Sequence, residues 1–401
     1  MKSVLSIFAL ALFISFHTFS QERINTGFLK DKTSIDGLKK IHNPNTKDIQ
    51  GLDEKNTRTT LTKTMLDNGF LLIEETHQGW DGFSWVDGSK MSYTYDVNNN
   101  LIEEISQYIV DSVWVNVDKF LYTYDNANNQ TEELYLSWSD SVWVNVDKFS
   151  FTYDNDNNLI EEIHQFWDGS VWLYSWRASY AYDSNQNQTE FLLQNWQNSE
   201  WKNFELNSYM YDTNNNLVEH LGQYWDGSIS DWVNNYKYSN IYDGNNNQTE
   251  SLYQFWGDSI WVNYSKYSNT YDGNNNLKQY LIQGWADSVW VNYYRDLFIY
   301  DANNNRTEIL SQYIDDSNWS NYYKVSYTYD INNKLKEELR QDWIGTWVNE
   351  FNFFYVYDEN SNRIELLKQK WVNSTWVNTV KFLYTYIPVT SVSLDLSSVT
   401  S

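Results

Sequence analysis

The sequence predicts an all-β protein: an antiparallel β-hairpin repeat array of about 22 strands that coils as a slanted sheet into a spiral or a wide barrel-like shell. Three observations support this fold class. A Tyr-Asp pair recurs at near-constant spacing, the residues between pairs alternate with a period of two, and both prolines, Pro44 and Pro388, fall outside the repeats. Repeat arrays grow by stacking units, so the 401 residues do not require several globular domains.

Four segments are expected along the chain. Residues 1–20 have a positive start, an apolar run and a small-residue cleavage site, which is typical of a secretory signal peptide. Residues 21–64 form a polar N-terminal segment, and residues 65–386 form the hairpin-repeat domain with its 29-residue period. Residues 387–401 are a linker or the start of a truncated Ig-like domain. The signal peptide predicts a secreted or outer-cell-surface protein.

Each repeat is built around its Tyr-Asp pair, whose Asp we number position 0. The aspartates are Asp96, Asp125, Asp154, Asp183, Asp212, Asp243, Asp272, Asp301, Asp330 and Asp358. Trp recurs at −11, Asn at −9, a basic residue at −6, Glu at +7, Gln at +11 and Trp at +13. Asn-rich turns after the Asp, and Asp-Ser or Asp-Gly-Ser turns after the second Trp, tolerate left-handed backbone and separate two strands per repeat.

Side-chain parity predicts how neighbouring strands pair. Strands from −11 to −1 and from +5 to +13, joined by loops of five and four residues, keep the recurrent side chains on one face and the basic position −6 on the other, solvated face. The resulting pairs are Tyr93 with Glu103, Gln107 with Asn116, and Trp138 with Trp143. This register shifts each strand by one residue against the last, a ratio that tilts barrel strands by about 36°.

One element of the repeat resembles a known family. Tyr93–Leu101 reads Tyr-x-Tyr-Asp-x-Asn-x-Asn-Leu, and Phe151–Leu159 repeats it with two substitutions. This element resembles the tyrosine-aspartate (YD) repeats of rearrangement-hotspot (Rhs-like) and teneurin-type proteins, over residues 65–386. The resemblance implies long hairpins that spiral into a hollow β-shell in a secreted bacterial surface protein. The period here is longer than the family's, Asn replaces its turn Gly, and the paired Trp residues are additional.

Composition and residue spacing argue against several functions. A net charge of −25 repels nucleic acid and anionic lipid, so we expect no nucleic-acid partner and no membrane insertion. Without cysteine there is no disulfide framework and no thiolate metal site. Adjacent carboxylates such as Glu103 and Glu104 point to opposite faces of a strand and cannot flank one glycosidic bond. We therefore predict that the chain is not an enzyme and needs no catalytic cofactor.

Two sets of side chains are candidate binding sites. The Trp pairs are either sugar-stacking platforms or structural pairs, and the ligand-binding candidates are Trp138, Trp143, Trp167, Trp172, Trp256, Trp261, Trp285 and Trp290. Asp-x-Asn-x-Asn turns echo the start of a calcium loop but lack its Gly and bidentate Glu, so turn formation is the alternative role. The calcium candidates are Asp183, Asn185, Asn187, Asp243, Asn245, Asn247, Asp301, Asn303 and Asn305.

A third motif occurs in the shorter turns. Asp-Ser-Val or Asp-Ser-Ile stands at Asp111–Val113, Asp140–Val142, Asp258–Ile260 and Asp287–Val289. These sequences resemble an O-glycosylation acceptor, and turn formation alone is the alternative explanation.

The function predicted from these features is that of a secreted or cell-surface structural, adhesion-type repeat protein. Its long sheet would present an extended binding surface to an extracellular protein or glycan. The first alternative is a lectin-like carbohydrate-binding repeat module, with one weak site per repeat combined by avidity. The second alternative is a shell segment of a larger YD-repeat toxin.

Overall fold

The computed structural model describes residues 69–389, which lie within the compact unit Thr64–Ser401. The expected signal peptide, the polar segment 21–64 and the tail from residue 390 onward lie outside the described residues. Within residues 69–389 every regular element is a β-strand, and no helix long and apolar enough to cross a membrane is found there.

The described chain forms 22 strands, two for each repeat. The first eleven are β1 (Phe70–Trp80), β2 (Trp85–Tyr95), β3 (Leu101–Val110), β4 (Val113–Tyr124), β5 (Gln130–Ser139), β6 (Val142–Tyr153), β7 (Leu159–Trp167), β8 (Trp172–Tyr182), β9 (Gln188–Gln197), β10 (Glu200–Tyr211) and β11 (Leu217–Asp226). The others are β12 (Asp231–Tyr242), β13 (Gln248–Gly257), β14 (Ile260–Tyr271), β15 (Leu277–Ala286), β16 (Val289–Tyr300), β17 (Arg306–Asp315), β18 (Asn318–Tyr329), β19 (Leu335–Trp343), β20 (Trp347–Tyr357), β21 (Arg363–Val372) and β22 (Thr375–Pro388).

The sheet closes into a barrel. Each strand pairs antiparallel with the next along the chain, and β22 pairs with β1 from Phe70–Pro388 to Gly79–Val380. The closing pair contains the same one-residue register shift, between Leu72 and Glu74, as the internal pairs. The predicted fold class is therefore confirmed, and the barrel is the form that the slanted array takes.

The predicted shear is also confirmed. Tyr93 pairs with Glu104, and Glu104 pairs with Phe120. The equivalent of Tyr93 in the next repeat is Tyr122, so the pairing arrives two residues before the equivalent position. Two strands thus give two residues of displacement, one residue for each strand. With strands about 4.8 Å apart and tilted about 36°, a 22-stranded barrel has a circumference of about 130 Å. That is much wider than the eight-stranded barrels whose side chains fill their own interior.

Two β-bulges in every repeat correct the predicted register. Near the Asn-rich turn, Thr94 pairs with Glu103 while Tyr95 pairs with Leu101, so Ile102 is the extra residue and Tyr93 opposes Glu104 rather than Glu103. A second bulge, near the Trp pairs, places one extra residue at position −8. The predicted pairs Gln107 with Asn116 and Trp138 with Trp143 are confirmed.

The bulges divide the recurrent residues between two faces, because an extra residue reverses side-chain parity. One face, the Trp face, carries the Trp pairs, the Gln–Asn amide pairs and the basic residue at −6. The other, the Tyr face, carries the tyrosines at −3 and −1. The prediction that all recurrent residues share one face, with the basic residue on the opposite one, is wrong. The loop after the second Trp is also shorter than predicted, with two residues in most repeats, such as Asp111 and Ser112.

The barrel has little conventional hydrophobic core. Within residues 69–389 the buried apolar side chains are Leu71, Leu72, Tyr122, Ala178, Ile282 and Val325, whereas most strand residues on both faces remain partly exposed. Neither face is therefore sealed by a second packed layer. The barrel is held by its hydrogen-bonded ladders and by rows of side-chain contacts that run across the strands.

The Tyr-Asp pair has a structural role in each repeat. The Tyr hydroxyl donates to the backbone carbonyl at position +5 of the preceding strand, beside the bulge, as Tyr124 does to Leu101 at 2.8 Å. The Asp closes the five-residue turn, because its Oδ1 accepts two backbone N–H groups and its Oδ2 accepts the side-chain amide of the Asn at +4. The turn residue at +3, such as Asn99, takes a positive φ of 66°, which Asn tolerates.

Candidate functional site

The tryptophan belt, defined by the Trp residues at positions +13 and −11, lies at the end of the strands nearest the two-residue turns. Nine Trp–Trp pairs cross this end of the sheet with ring centroids 4.8–5.2 Å apart and interplanar angles of 61–75°. Such edge-to-face pairs stabilise by about 0.5–1.5 kcal/mol beyond burial. The eight Trp residues predicted as ligand-binding all belong to these pairs, and all are half-buried.

A cation covers one ring of nearly every pair. The basic residue at −6 places its charge over the −11 Trp of the following repeat, as Lys119 Nζ does 5.1 Å from the ring centre of Trp143. Lys119 also pairs with Glu103 at 2.8 Å. The same contact links the last repeat to the first across the closing seam, because Lys381 Nζ lies 4.6 Å from the ring centre of Trp85. Leu206 and Asn352 hold position −6 in the two repeats that lack a cation there.

These contacts leave the two Trp positions unequal. The −11 rings Trp143, Trp172, Trp261 and Trp290 each have one face occupied by Lys119, Lys148, Lys237 and Lys266, respectively. The +13 rings of the same pairs, Trp138, Trp167, Trp256 and Trp285, have no cation over them among the described contacts. The cation therefore removes one face of each −11 ring as a stacking platform, and it leaves the +13 rings unaffected.

An amide pair lies beside the belt. Gln254 Nε2 donates to Asn263 Oδ1 at 2.9 Å, and Gln283 Nε2 donates to Asn292 Oδ1 at 2.9 Å. Each pair keeps a donor on the Asn and an acceptor on the Gln for a ligand. An aromatic platform next to such groups is the chemistry that recognises a sugar.

The calcium candidates lie in the Asn-rich turns at the opposite end of the strands. Asp183 Oδ1 accepts the backbone N–H groups of Asn185 and Asn187 at 2.8 and 2.9 Å, and Oδ2 accepts Asn187 Nδ2 at 3.0 Å. These bonds, led by the one from the Asn187 side chain, lower the pKa of Asp183. The turns at Asp243 and Asp301 are built in the same way.

The same turns are linked to one another by asparagine amides. Asn187 Nδ2 also donates to Asn215 Oδ1 of the next repeat at 2.9 Å, and Asn305 Nδ2 to Asn333 Oδ1 at 3.0 Å. Within residues 69–389 no group of three or more His, Asp or Glu side chains is placed to hold a metal ion. Turn formation therefore accounts for these residues, and calcium binding stays a prediction.

Buried titratable groups lie on the Tyr face. His220 Nε2 contacts Asn207 Oδ1 at 2.8 Å and stacks on Tyr209 with ring centres 4.7 Å apart. Burial lowers the pKa of His220 to about 4, so the ring is neutral at pH 7. Asp296 accepts hydrogen bonds from Tyr294 and Ser311, and burial raises its pKa. Such groups form a polar packing layer, because their partners are amides and hydroxyls already engaged within the sheet.

Sequence reasoning missed the cation–ring contacts and the polar cluster around His220. The cation signal was present in the sequence, since the basic residue at −6 precedes the −11 Trp of the next repeat by 24 residues in most repeats. Its face was misassigned because the bulge at −8 was not foreseen.

Comparison with known proteins gives distant structural likeness only. The chain matches no protein-family profile and no curated protein sequence. The crystal structure of TcdB2-TccC3-TEV is 14% identical, with 73% of this chain and 15% of that chain covered and a TM-score of 0.36. The Photorhabdus luminescens Tc holotoxin pore is 11% identical, with 73% and 16% covered and a TM-score of 0.39. A protein of unknown function from Bacteroides fragilis is 15% identical, with 29% and 89% covered and a TM-score of 0.25.

This chain therefore spans about 15% of the length of the two toxin chains. With every TM-score below 0.5, these likenesses carry no functional argument. The resemblance to tyrosine-aspartate repeat proteins still depends on the repeat motif itself.

Proposed function

We propose that this protein is a secreted or cell-surface structural barrel of the adhesion type, which presents an extended, non-catalytic binding surface to an extracellular protein or glycan. The observation that carries the proposal is the closure of β22 on β1 in the same register as the internal strand pairs. A closed sheet has no exposed edge to pair with other chains, so it forms a rigid and aggregation-resistant scaffold.

The recurrent side chains support a scaffold role. The Tyr hydroxyls bind bulge carbonyls, the aspartates close turns, and the basic residues cover Trp rings. Because these contacts repeat around the barrel, the recurrent residues maintain the fold, and binding specificity has to come from positions that vary between repeats. In a segment of a longer shell β1 and β22 would pair with further repeats, whereas here they pair with each other.

The first experiment locates the protein and then measures adhesion. Intact cells of the producing organism are treated with a protease that cannot enter them, and loss of the full-length chain is followed by immunoblot. A surface protein is cleaved on intact cells, whereas an intracellular one is cleaved only after lysis. Deletion of the gene is then expected to reduce attachment to coated surfaces, and the wild-type gene to restore it. Protection of the chain on intact cells and its absence from the medium would refute the proposal.

The second candidate function, carbohydrate binding, is favoured by the +13 rings, which have no cation over them, beside the amide pairs. The direct test is a glycan array with the purified protein. Trp256→Phe keeps an aromatic ring but reduces the platform, and Trp285→Phe does the same one repeat away. Trp176→Phe is the matched control, because Trp176 lies on the Tyr face outside the belt and stacks on His164 at 5.4 Å. Selective weakening by the first two variants supports the lectin function, and equal binding by all three contradicts it.

A further inference from the structure

The two-residue turns contain serines in a backbone conformation that favours glycine. Both residues of these turns have positive φ, as in Asp111 (48°) and Ser112 (66°), which defines the type I′ hairpin turn. The turn serines with φ of 63–70° are Ser112, Ser141, Ser199, Ser259, Ser288, Ser317 and Ser374. A residue with a Cβ costs roughly 1 kcal/mol more than Gly in this conformation. Recurrence of Ser where Gly is more stable indicates that the hydroxyl has a use.

The hydroxyls in these turns are not used by the fold. In the longer turns, Ser170 Oγ donates to Asp168 at 2.9 Å and Ser228 Oγ donates to Asp226 at 2.6 Å. By contrast, across the described part of the chain, the hydroxyls of Ser112, Ser141, Ser259 and Ser288 have no hydrogen-bond partner. All four serines are exposed at the tips of hairpins.

An unexplained apolar band lies beside these four serines. We call it the apolar rim band, and it consists of Val110, Val113, Val142, Val144, Ile260, Val289 and Val291. The residues that directly follow the serines are among its most exposed, with Val113 at 63% and Ile260 at 61%. The band falls into two groups, one on β3, β4 and β6 and the other on β14 and β16, and each of its residues lies within three positions of one of the four exposed serines. The free hydroxyls are therefore placed where an attached group would shield the band.

Electrostatics selects the kind of group. Each of the four serines follows an aspartate, at the rim of a chain with a net charge of −25. A phosphate would add about two negative charges beside that carboxylate, which is unfavourable. A neutral sugar adds no charge, and its C–H face can pack on the neighbouring Val or Ile.

We propose that Ser112, Ser141, Ser259 and Ser288 are acceptors of O-linked glycans. The serine Oγ attacks the anomeric carbon of an activated sugar-phosphate donor and forms the new C–O bond. The bond from that carbon to the phosphate oxygen breaks, and the phosphate leaves with the electron pair. The hydroxyl proton passes to a base of the glycosyltransferase. Recognition requires the preceding Asp, the exposed Ser and the following Val or Ile.

The chain contains its own controls. Ser199, Ser317 and Ser374 have the same backbone conformation, but Glu200, Asn318 and Thr375 follow them. Because turn geometry is shared, any difference in modification between the two sets reports recognition of the flanking residues.

The test is glycopeptide mass spectrometry of the full chain purified from the organism that makes it. Sugar-sized mass increments are expected on the four acceptor serines and not on the three control serines. Val113→Asn is expected to abolish modification of Ser112 while keeping its hydroxyl, and Asn318→Val is expected to create a new site at Ser317. Because Val113 and Asn318 are exposed at the first position of a strand, circular dichroism and melting of both variants should match the wild type.

Three results would overturn the proposal. The first is unmodified peptides at all four acceptor serines. The second is a phosphate-sized increment in place of a sugar. The third is equal modification of acceptor and control serines, which would leave no role for the residue after the serine.

Discussion

Removing one tyrosine hydroxyl tests whether the Tyr-Asp motif stabilises the bulges. Tyr182→Phe keeps the ring but deletes the donor that contacts the Leu159 carbonyl oxygen at 2.8 Å. A neutral hydrogen bond contributes about 1 kcal/mol net, and an orphaned buried carbonyl raises the loss to about 3 kcal/mol. Because this carbonyl lies half-buried near the rim, where water can reach it, we expect a loss of about 1 kcal/mol.

Urea unfolding followed by tryptophan fluorescence measures this loss. With a slope of about 3 kcal/mol/M, the midpoint should fall by about 0.3 M. Tyr211→Phe removes the equivalent bond in the next repeat, 2.9 Å to the Gln188 carbonyl, so the double variant should lose about 2 kcal/mol. Tyr108→Phe is the control, because Tyr108 is 44% exposed and its hydroxyl has no partner within residues 69–389.

The reasoning is refuted if Tyr182→Phe lowers the midpoint no more than Tyr108→Phe does. Water would then satisfy the bulge carbonyl as well as the tyrosine does, and the recurrence of Tyr at position −1 would need another cause. A double variant that loses much more than the sum of the singles would instead show that the bulges are coupled around the barrel.

Four further predictions follow from the same contacts. Burial lowers the pKa of His220 to about 4, against about 6.5 in the unfolded chain, so keeping the ring neutral contributes about 3 kcal/mol of stability above pH 6.5, and this contribution is lost as the pH falls toward 4. His220→Phe should flatten the dependence of the melting temperature on pH across that range. Gly284→Ala places a Cβ 2.1 Å from the Tyr293 ring and should cost about 1–3 kcal/mol, and pairing it with Tyr293→Ala should recover most of the loss. Lys381→Gln removes the cation over Trp85 and should lower the free energy of unfolding, measured in urea, by about 0.5–1 kcal/mol; a much larger loss would indicate that the pairing of β22 with β1 limits the stability of the barrel. Chelation should leave the melting temperature unchanged, since turn amides already bind the Asp oxygens, and a drop of several degrees would support calcium.

The fold could be predicted because its signals are local and repeated. Alternation, turn residues and the even spacing of the Trp residues fixed strand identity, and the Gln107–Asn116 pair fixed the register at one end of the hairpin. The two register errors cancel in the sum over a repeat. For this reason the shear, and with it the barrel, was predicted correctly even though Tyr93 was paired with the wrong glutamate.

The faces could not be predicted, because a bulge is one residue that breaks parity without changing the repeat length. Val117 and Ile102 are β-branched and fit an ordinary strand, so their side chains give no sign of a bulge. Only the strand pairings in the structure reveal the two bulges. This error affected the candidate site, because Lys119 is predicted to lie on a solvated face, whereas the structure places it over the ring of Trp143.

The seam between β22 and β1 has a consequence for how such proteins can change over time. Because every repeat brings its own two residues of shear, insertion or loss of one hairpin unit leaves the remaining pairings intact and alters the perimeter by about 12 Å. The backbone N–H of Val389 donates to the Gly69 carbonyl at 2.8 Å, so the two ends of the array already touch. Duplication or deletion of one repeat in the gene would thus yield a wider or narrower barrel. A circular permutation that opens the chain at any Asn-rich turn would keep the strand pairings of the sheet.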